Sequence, residues 1–193
     1  PNSREGMMLK NTECFFRDPD DLGIVMSWQE RDGGGADLTP SLITYLGNSE
    51  SLLIPEGIKS VAAFALYPYD ASTGGYVGTS GIKSIVFPST LLLVGCESFR
   101  SMPDLQSITF SGDQIHIDQY AFNNCKLKTV TVLATTPPTL AGGSAFQNNA
   151  SGRKFYVPYS ADQSILNAYK TATNWSSYAS SIYELNEDGT IPS

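Results

Sequence analysis

The chain has 193 residues and a net charge of −7, with 41% hydrophobic and 16% charged residues. That length suits one domain with a small extension, and the apolar content is too high for a disordered segment. The negative charge disfavours binding to nucleic acids and to anionic membrane surfaces, and no stretch of the sequence is long and apolar enough to cross a bilayer.

Residues 1–42 lack the repeat that dominates the rest of the chain. Residues 24–28 (IVMSW) predict a strand, and the glycines at 33–35 predict a flexible turn. We interpret residues 1–42 as an N-terminal cap over the first coil of the repeat, with the remnant of a preceding domain as the alternative. Since the chain begins at Pro1 without a signal-like segment, we expect any signal or lipid-attachment sequence to stand outside it.

An apolar strand pattern recurs at intervals of about 22–23 residues in the middle of the chain. The three clearest copies are Ile82-x-x-Ile85-x-Phe87, Leu105-x-x-Ile108-x-Phe110 and Leu127-x-x-Val130-x-Val132. A shorter copy, Leu52-x-Ile54, precedes them, and a partial copy, Phe155-x-Val157, follows. Because alternate residues of a strand face one side, each copy predicts a short strand with one apolar face.

Two further apolar landmarks follow each strand in a fixed order. The first landmark is Val61, Val94, Ile117 and, one place later in its repeat, Leu140. The second is a small residue followed by phenylalanine: Ala63-Phe64, Ser98-Phe99, Ala121-Phe122 and Ala145-Phe146. One such coil cannot bury its apolar residues alone, whereas stacked coils can, so we predict a solenoid of about four coils and a partial one. A β-sandwich is disfavoured because its strands recur about every 8–12 residues with hairpin signals between them.

The first coil carries an insertion at residues 65–81. It places Tyr67, Tyr69 and Tyr76 on a glycine-rich loop. Insertions in repeat proteins form loops on one face, often the binding face, and tyrosines are common in recognition surfaces. The three tyrosines are therefore candidate ligand-binding residues, and the alternative is that they pack on their own coil.

Residues 159–193 predict a helical C-terminal cap. Ser160 or Asp162 can cap a helix that runs to about Thr173. The apolar residues of this tail form two stripes, Ile165, Leu166 and Tyr169 on the helix and Trp175, Tyr178 and Ile182 after it. Stripes of this kind are usually core rather than ligand-binding surface, so we expect them to seal the last coil.

The sequence offers no catalytic constellation. His116 is the only histidine, and by alternation it faces away from its neighbours Ile115 and Ile117, as a surface residue. No G-x-S-x-G, H-E-x-x-H, phosphate-binding glycine loop or zinc-ligand spacing is present. A pair of carboxylates for glycoside hydrolysis can come from distant positions and stays open, although a small regular solenoid offers no deep cleft. We predict no enzyme, no catalytic residue, no cofactor and no metal site.

The remaining reactive groups predict structural roles. The three cysteines, Cys14, Cys96 and Cys125, include no C-x-x-C pair, and we expect Cys96 and Cys125 to be buried thiols. The carboxylates within residues 18–21 lack the glycine and the terminal glutamate of a calcium loop and predict a solvated turn.

The repeat resembles that of the BspA-like leucine-rich-repeat family of bacterial surface proteins, whose unit reads approximately L-x-x-I-x-I-P-x-x-V-x-x-I-G-x-x-A-F-x-x-C. Residues 54–61, 82–95 and 120–125 fit that unit, and residues 46–57 resemble its usual first repeat. The tail from residue 135 to residue 175 resembles the ending of gut Bacteroides-type members. The resemblance implies a leucine-rich-repeat solenoid, a β-rich α/β right-handed superhelix, with the repeats at residues 43–158. The asparagine ladder of many leucine-rich repeats is absent, since Thr90, Asp113 and Thr135 stand at the comparable positions.

The resemblance also implies a function, a non-catalytic, adhesin-like binding module. We expect it to be extracellular or at the cell surface, with lipid anchoring left open. The expected partner is a protein of a host or bacterial surface, bound through exposed strand positions such as Lys83, Gln106 and Lys128. The alternatives are a structural component of the cell envelope, and a carbohydrate-binding or glycan-degrading protein that uses the loop of Tyr67, Tyr69 and Tyr76.

Overall fold

The computed structural model describes residues 16–17, 24–30 and 38–193. The predicted turns at residues 18–21 and 33–35, and Cys14, lie outside these residues. The described part contains fifteen short strands, one α-helix and one 3-10 helix. In chain order they are β1 (Phe16–Arg17), β2 (Ile24–Glu30), β3 (Leu38–Tyr45), β4 (Ser51–Leu53), β5 (Ser60–Val61), β6 (Tyr69–Asp70), β7 (Gly75–Tyr76), β8 (Ser84–Phe87), β9 (Leu93–Val94), β10 (Ser107–Phe110), β11 (His116–Ile117), β12 (Thr129–Val132), β13 (Thr139–Leu140), β14 (Lys154–Val157), α1 (Ser164–Thr171), the 3-10 helix (Ser176–Ser181) and β15 (Ile182–Glu184).

Two parallel sheets form the walls of a solenoid. One wall is a six-stranded sheet in the order β4-β8-β10-β12-β14-β15, and each of its strands opens one coil. In the other wall β3, β5, β9, β11 and β13 follow one another in parallel. The repeats pair in register, so that Ile85 lies beside Ile108 and Ile108 beside Val130. This register follows from the repeat itself, because a slip of one residue would turn the apolar face outward.

The described chain has six coils, more than the four and a partial one that the sequence predicts. The partial copy Phe155-x-Val157 is a complete strand, β14. The strand β15 adds a sixth rung beside β14, with Ile182 next to Phe155. The repeat pattern misses β15 because Ile182 is the only buried residue in that strand.

A column of phenylalanine rings fills the core between the two walls. The ring centroids of Phe99 and Phe122 lie 5.1 Å apart, those of Phe122 and Phe146 5.4 Å apart, and those of Phe87 and Phe110 4.7 Å apart. All five side chains are fully buried. These spacings approach the ~4.7–4.9 Å between neighbouring strands, so the ring of each coil stacks on the ring of the preceding coil.

The first coil departs from the predicted phenylalanine landmark. Phe64 is 37% exposed, whereas Leu66 is fully buried. Leu66 follows Val61 at the same spacing that places Phe99 after Val94, so Leu66 fills the inward position. The assignment of Phe64 to the core is therefore wrong, because it matches residue types without keeping this spacing.

The N-terminal strands continue the second wall of the solenoid. The predicted strand at residues 24–28 is confirmed within β2, which pairs antiparallel with β3. β3 in turn pairs in parallel with β5, and the fully buried Leu42 lies beside Val61. A strand of the second wall thus precedes the first coil. The interpretation of residues 1–42 as an N-terminal cap stays a prediction.

The helix α1 begins after Gln163, whose side chain makes no capping hydrogen bond, and the predicted capping residues Ser160 and Asp162 bond to its first turn from just outside the helix. Ser160 Oγ accepts a hydrogen bond from the Ile165 amide at 3.1 Å, and Asp162 Oδ1 accepts one from the Ser164 amide at 3.0 Å. Both side chains satisfy first-turn amides that have no partner within the helix. The helix ends at Thr171, slightly before the predicted end.

Three large aromatic side chains of the tail are buried against the last coils, as the apolar stripes predict. Each donates its polar hydrogen to a backbone carbonyl of an earlier coil. The pairs are Tyr169 Oη with Ala134 O at 2.8 Å, Trp175 Nε1 with Pro138 O at 2.7 Å, and Tyr178 Oη with Gly143 O at 2.6 Å. The tail therefore closes the apolar column without leaving these polar atoms unpaired.

Candidate functional site

The insertion of the first coil folds into an antiparallel hairpin of β6 and β7, with Tyr69 opposite Tyr76. Asp70 organises its turn, because its Oδ1 accepts hydrogen bonds from the Ser72 amide at 2.8 Å and the Ser72 hydroxyl at 2.7 Å. These bonds lower the pKa of Asp70 below its usual value. Gly74 closes the turn with a φ of 69°, a conformation that glycine adopts without steric cost.

A buried glycine fixes this hairpin against the second coil. A Cβ atom on Gly78 would stand 2.1 Å from the carbonyl oxygen of Ser101, so this approach excludes every other residue. The Thr79 amide then donates to Leu66 O at 2.9 Å and returns the chain to the repeat. The hairpin is consequently held on the coils at its base.

Five side chains form a continuous line from the hairpin across the next two coils. The ring centroid of Tyr76 lies 5.5 Å from that of Tyr69 and 5.5 Å from that of Tyr67. The guanidinium carbon of Arg100 lies 5.7 Å from the Tyr67 centroid and 5.5 Å from the Tyr120 centroid. We name these five side chains, in the order Tyr69, Tyr76, Tyr67, Arg100 and Tyr120, the aromatic row.

Phe64 supports the aromatic row from the first coil. Its ring centroid lies 5.1 Å from that of Tyr76. Phe64, Glu97 and Tyr120 stand at equivalent places in three successive coils, and all three have positive φ angles of 55–59°. Phe64, Arg100 and Tyr120 are not among the residues that the sequence predicts for this site. The signal for Phe64 and Tyr120 was their common position three residues after Val61 and Ile117.

The aromatic row is accessible to a partner. Tyr69 is 59% and Tyr76 50% exposed, and Tyr67 is half-buried. The hydroxyls of these three tyrosines make no hydrogen bond within the described residues. Arg100 Nη1 pairs with Glu97 Oε2 at 2.8 Å, so the row also carries a fixed charge pair. The tyrosines pack on one another, yet two of them keep about half of their surface in solvent.

Lys83, Gln106 and Lys128 do not occupy the predicted strand positions. Each stands one residue before its strand, where two successive amides donate to one carbonyl, as those of Lys83 and Ser84 do to Glu50 O. Lys83 Nζ lies 2.7 Å from Glu50 Oε1, and Lys128 Nζ donates to Gln106 Oε1 at 3.3 Å. Gln106 is half-buried rather than exposed. The strand prediction is off by one residue because the apolar pattern starts before the first residue of each strand.

The histidine and the cysteines form no catalytic group within the described residues. His116 has a 43% exposed side chain, 3.4 Å from Asp118 Oδ1, and Ile115 and Ile117 are buried, as alternation predicts. Cys125 is buried, and burial raises the pKa of its thiol to about 12. The expectation that Cys96 is buried is wrong, since it is partly exposed.

Two classes of site are missing from the described part of the chain. Over residues 16–17, 24–30 and 38–193, no three His, Cys, Asp or Glu side chains gather as a metal site would require. The same residues include no helix with the length and hydropathy needed to traverse a bilayer.

Comparison with known proteins gives the chain a family. The chain is similar to a leucine-rich cell surface protein of Faecalibacterium prausnitzii A2-165, with 12% identity and a TM-score of 0.37 over 81% of this chain and 45% of that one. This chain thus spans less than half of that protein. No curated protein matches the chain. The model of the BspA-type leucine-rich repeat region matches residues 73–182 in six copies, which is more than half of the chain. The protein therefore belongs to the BspA-type leucine-rich-repeat family.

Proposed function

We propose that this chain is a non-catalytic binding module displayed on a bacterial cell surface, and that the aromatic row contacts a protein partner. Family membership suggests a role in protein interaction at a surface. The observation that carries the proposal is the exposure of Tyr69 and Tyr76, whose hydroxyls have no partner within the described residues, in a row that continues through Tyr67 to Arg100.

Tyrosine and arginine are the side chains that protein interfaces favour. They are enriched among the few residues that supply most of the binding free energy, because each offers a large contact area together with a polar group. A tyrosine has only two side-chain torsions to fix, so it loses little conformational entropy on binding. The aromatic row presents four tyrosines and one arginine along a single line.

The base of the hairpin is also preorganised for binding. The close approach of Gly78 to Ser101 and the two hydrogen bonds from Thr79 to Leu66 O hold the hairpin against the coils. A surface that is ordered before binding avoids part of the entropic cost of association.

The outward face of the six-stranded sheet is a weaker candidate for the contact surface. Its middle strands β8, β10 and β12 present small side chains at successive rungs, namely Ser84, Ser107 and Thr129 on one line and Val86, Thr109 and Thr131 on the next. Small residues of this kind supply few strong contacts at interfaces. Lys83 and Lys128, which stand just before their strands, already contact polar side chains of the preceding coils.

The proposal can be tested by titrating the fluorescently labelled chain onto intact epithelial and bacterial cells, before and after treating the cells with protease or with glycosidases. We expect saturable binding that protease abolishes. The double variant Tyr69→Ala/Tyr76→Ala should bind at least roughly tenfold more weakly, the effect of losing interface anchors. The matched control is Tyr159→Ala/Tyr183→Ala, which removes two tyrosines that are 44% and 43% exposed outside the row.

Each other result would contradict the proposal in a specific way. Equal binding by the two double variants would remove the aromatic row as the contact surface. Binding that is lost after glycosidase treatment and survives protease would favour a glycan partner, for which the exposed tyrosine rings are also suited. Absence of saturable binding to every cell type would favour a structural role in the envelope.

A further inference from the structure

A second candidate site lies at the other end of the solenoid, away from the aromatic row. A cavity of about 380 Å³ opens between the turn that follows Phe146 and the 3-10 helix. Its lining includes the polar side chains of Gln147, Asn148, Ser177 and Ser181, with Arg153 beside them. None of these residues belongs to the repeat landmarks or to the proposed protein contact.

Arg153 is held rigidly in the wall of this cavity. Its guanidinium carbon lies 4.9 Å from the ring centroid of Phe155 and 5.2 Å from that of Tyr178. Its Nη1 donates to Phe146 O at 2.7 Å, and its Nε is enclosed without an acceptor. Its Nη2 makes no hydrogen bond within the described residues and is not among the enclosed atoms, so it remains open to a ligand.

The guanidinium lacks a carboxylate partner. The ion pairs among the described residues from Pro40 onward involve Lys83, Arg100 and His116, and none involves Arg153. Burial lowers the pKa of Arg153 below its usual value, and the phenol of Tyr178, rather than a carboxylate, opposes this effect. A cation that is withdrawn from water without a counter-charge costs free energy, which an anionic ligand would restore. The missing counter-charge does not reflect a shortage of acidic residues, since the chain has 19 Asp and Glu against 12 Lys and Arg.

We propose that this cavity binds an acidic monosaccharide unit, with Arg153 Nη2 donating to the sugar carboxylate. A guanidinium is the side chain best matched to a carboxylate. The volume lies at the small end of the range of about 300–1,000 Å³ that is typical of small-molecule sites.

The rim of the cavity suits the hydroxyl groups of a sugar. The side chains of Gln147, Asn148 and Ser181 make no hydrogen bond within the described part of the chain, so their amide and hydroxyl groups are available as donors and acceptors. Ser177 Oγ donates to Asn174 O at 2.8 Å and keeps its lone pairs for a ligand hydroxyl. A peptide carboxylate would bring apolar side chains to this largely polar rim and is therefore the less suitable ligand.

The test is calorimetric titration of the chain, at constant ionic strength, with sodium glucuronate and with N-acetylneuraminate. Glucose is the neutral control, and N-acetylalanine is the peptide-like carboxylate. We expect saturable binding of at least one acidic sugar and none of glucose. Arg153→Gln should weaken binding roughly tenfold or more, because it removes a hydrogen bond between two charged groups.

A second variant keeps the test valid if Arg153→Gln loses its fold. Asn148 is exposed and has a φ of 57°, which aspartate tolerates, so Asn148→Asp adds a negative charge at the rim without altering the core. It should weaken binding several-fold. Asn124→Asp is the matched control, since Asn124 stands at the equivalent place in the third coil, is also exposed and has a φ of 59°.

Three results would overturn the inference. Equal affinity of Asn148→Asp and Asn124→Asp would show that the anion does not bind at this cavity. Equal binding of glucose and glucuronate would remove the role of the carboxylate. Binding of N-acetylalanine in preference to both acidic sugars would assign the cavity to a peptide. The site is independent of the aromatic row, so Tyr69→Ala/Tyr76→Ala should bind the acidic sugar like the unmodified chain.

Discussion

The tyrosines of the hairpin and those of the C-terminal tail differ in what their hydroxyls do. In the tail, Tyr169 and Tyr178 are buried, and each hydroxyl donates to a backbone carbonyl of an earlier coil. In the hairpin, Tyr69 and Tyr76 are about half exposed, and their hydroxyls have no partner within the described residues. Both sets make close ring contacts, so ring contacts alone do not separate them.

The hydroxyl distinguishes a structural tyrosine from one that is available for recognition. A buried polar hydrogen needs an acceptor, since an unsatisfied one costs about as much free energy as a large apolar contact provides. The tail meets this requirement with carbonyls from Ala134 and Gly143. In the hairpin, the acceptor for each tyrosine hydroxyl is left to water or to a binding partner. Substitutions in the tail are therefore expected to change stability, whereas those in the hairpin are expected to change binding.

The largest difference is expected for truncation of a ring. Trp175→Ala should lower the free energy of unfolding by roughly 3–5 kcal/mol, because it leaves a cavity in a fully buried site and an unpaired Pro138 carbonyl. Tyr76→Ala should cost less than about 1 kcal/mol, as expected of an exposed position. Urea unfolding of both variants measures the difference. A comparable loss in the two would mean that the hairpin is part of the core.

A smaller effect is expected when only the hydroxyl is removed. Tyr169→Phe keeps the ring and leaves Ala134 O without its donor, so it should destabilise the fold by about 1–2 kcal/mol. Tyr69→Phe is the matched change in the hairpin and should leave the unfolding midpoint unchanged. An unchanged midpoint for Tyr169→Phe would show that the buried hydroxyl contributes no net stability.

The least pronounced effect concerns pH. Burial raises the pKa of Tyr169 and Tyr178 above the ordinary value of about 10. The folded state therefore favours the neutral phenol, and its stability contribution is complete below the ordinary pKa and falls as pH rises toward the raised pKa. Stability should decline above about pH 10.

Phenolate absorbance provides the measurement. At least two of the ten tyrosines should ionise only as the chain unfolds, and this delayed fraction should shrink in Tyr169→Phe/Tyr178→Phe. Ionisation of all tyrosines in one step before unfolding would contradict the burial argument.

The sequence predicts the solenoid well where the repeat keeps its apolar alternation. The strands β8, β10 and β12 all lie within the predicted copies, because each has two inward apolar residues at a fixed spacing. β15 escapes detection since only Ile182 is inward. Phe64 is wrongly assigned to the core for the opposite reason. It is an apolar residue at an outward position, and Leu66 occupies the inward one.

The candidate sites are predictable only in part. Composition alone singles out the tyrosines of the insertion, since the repeat does not require them. Arg100 and Tyr120 join them because coil stacking brings residues that lie far apart in the sequence into contact. The case of Arg153 is different, because the absence of a counter-charge depends on every neighbour in space and leaves no signal in the sequence.

The left-handed outward position shared by Phe64, Glu97 and Tyr120 has an evolutionary consequence. For a residue other than glycine this conformation costs roughly 1–2 kcal/mol, yet ladder hydrogen bonds hold it, as the Phe64 amide does to Cys96 O at 3.1 Å. The backbone thus imposes the geometry whichever side chain is present. A mutation at these positions can therefore change the outward side chain of a coil while the inherited backbone persists.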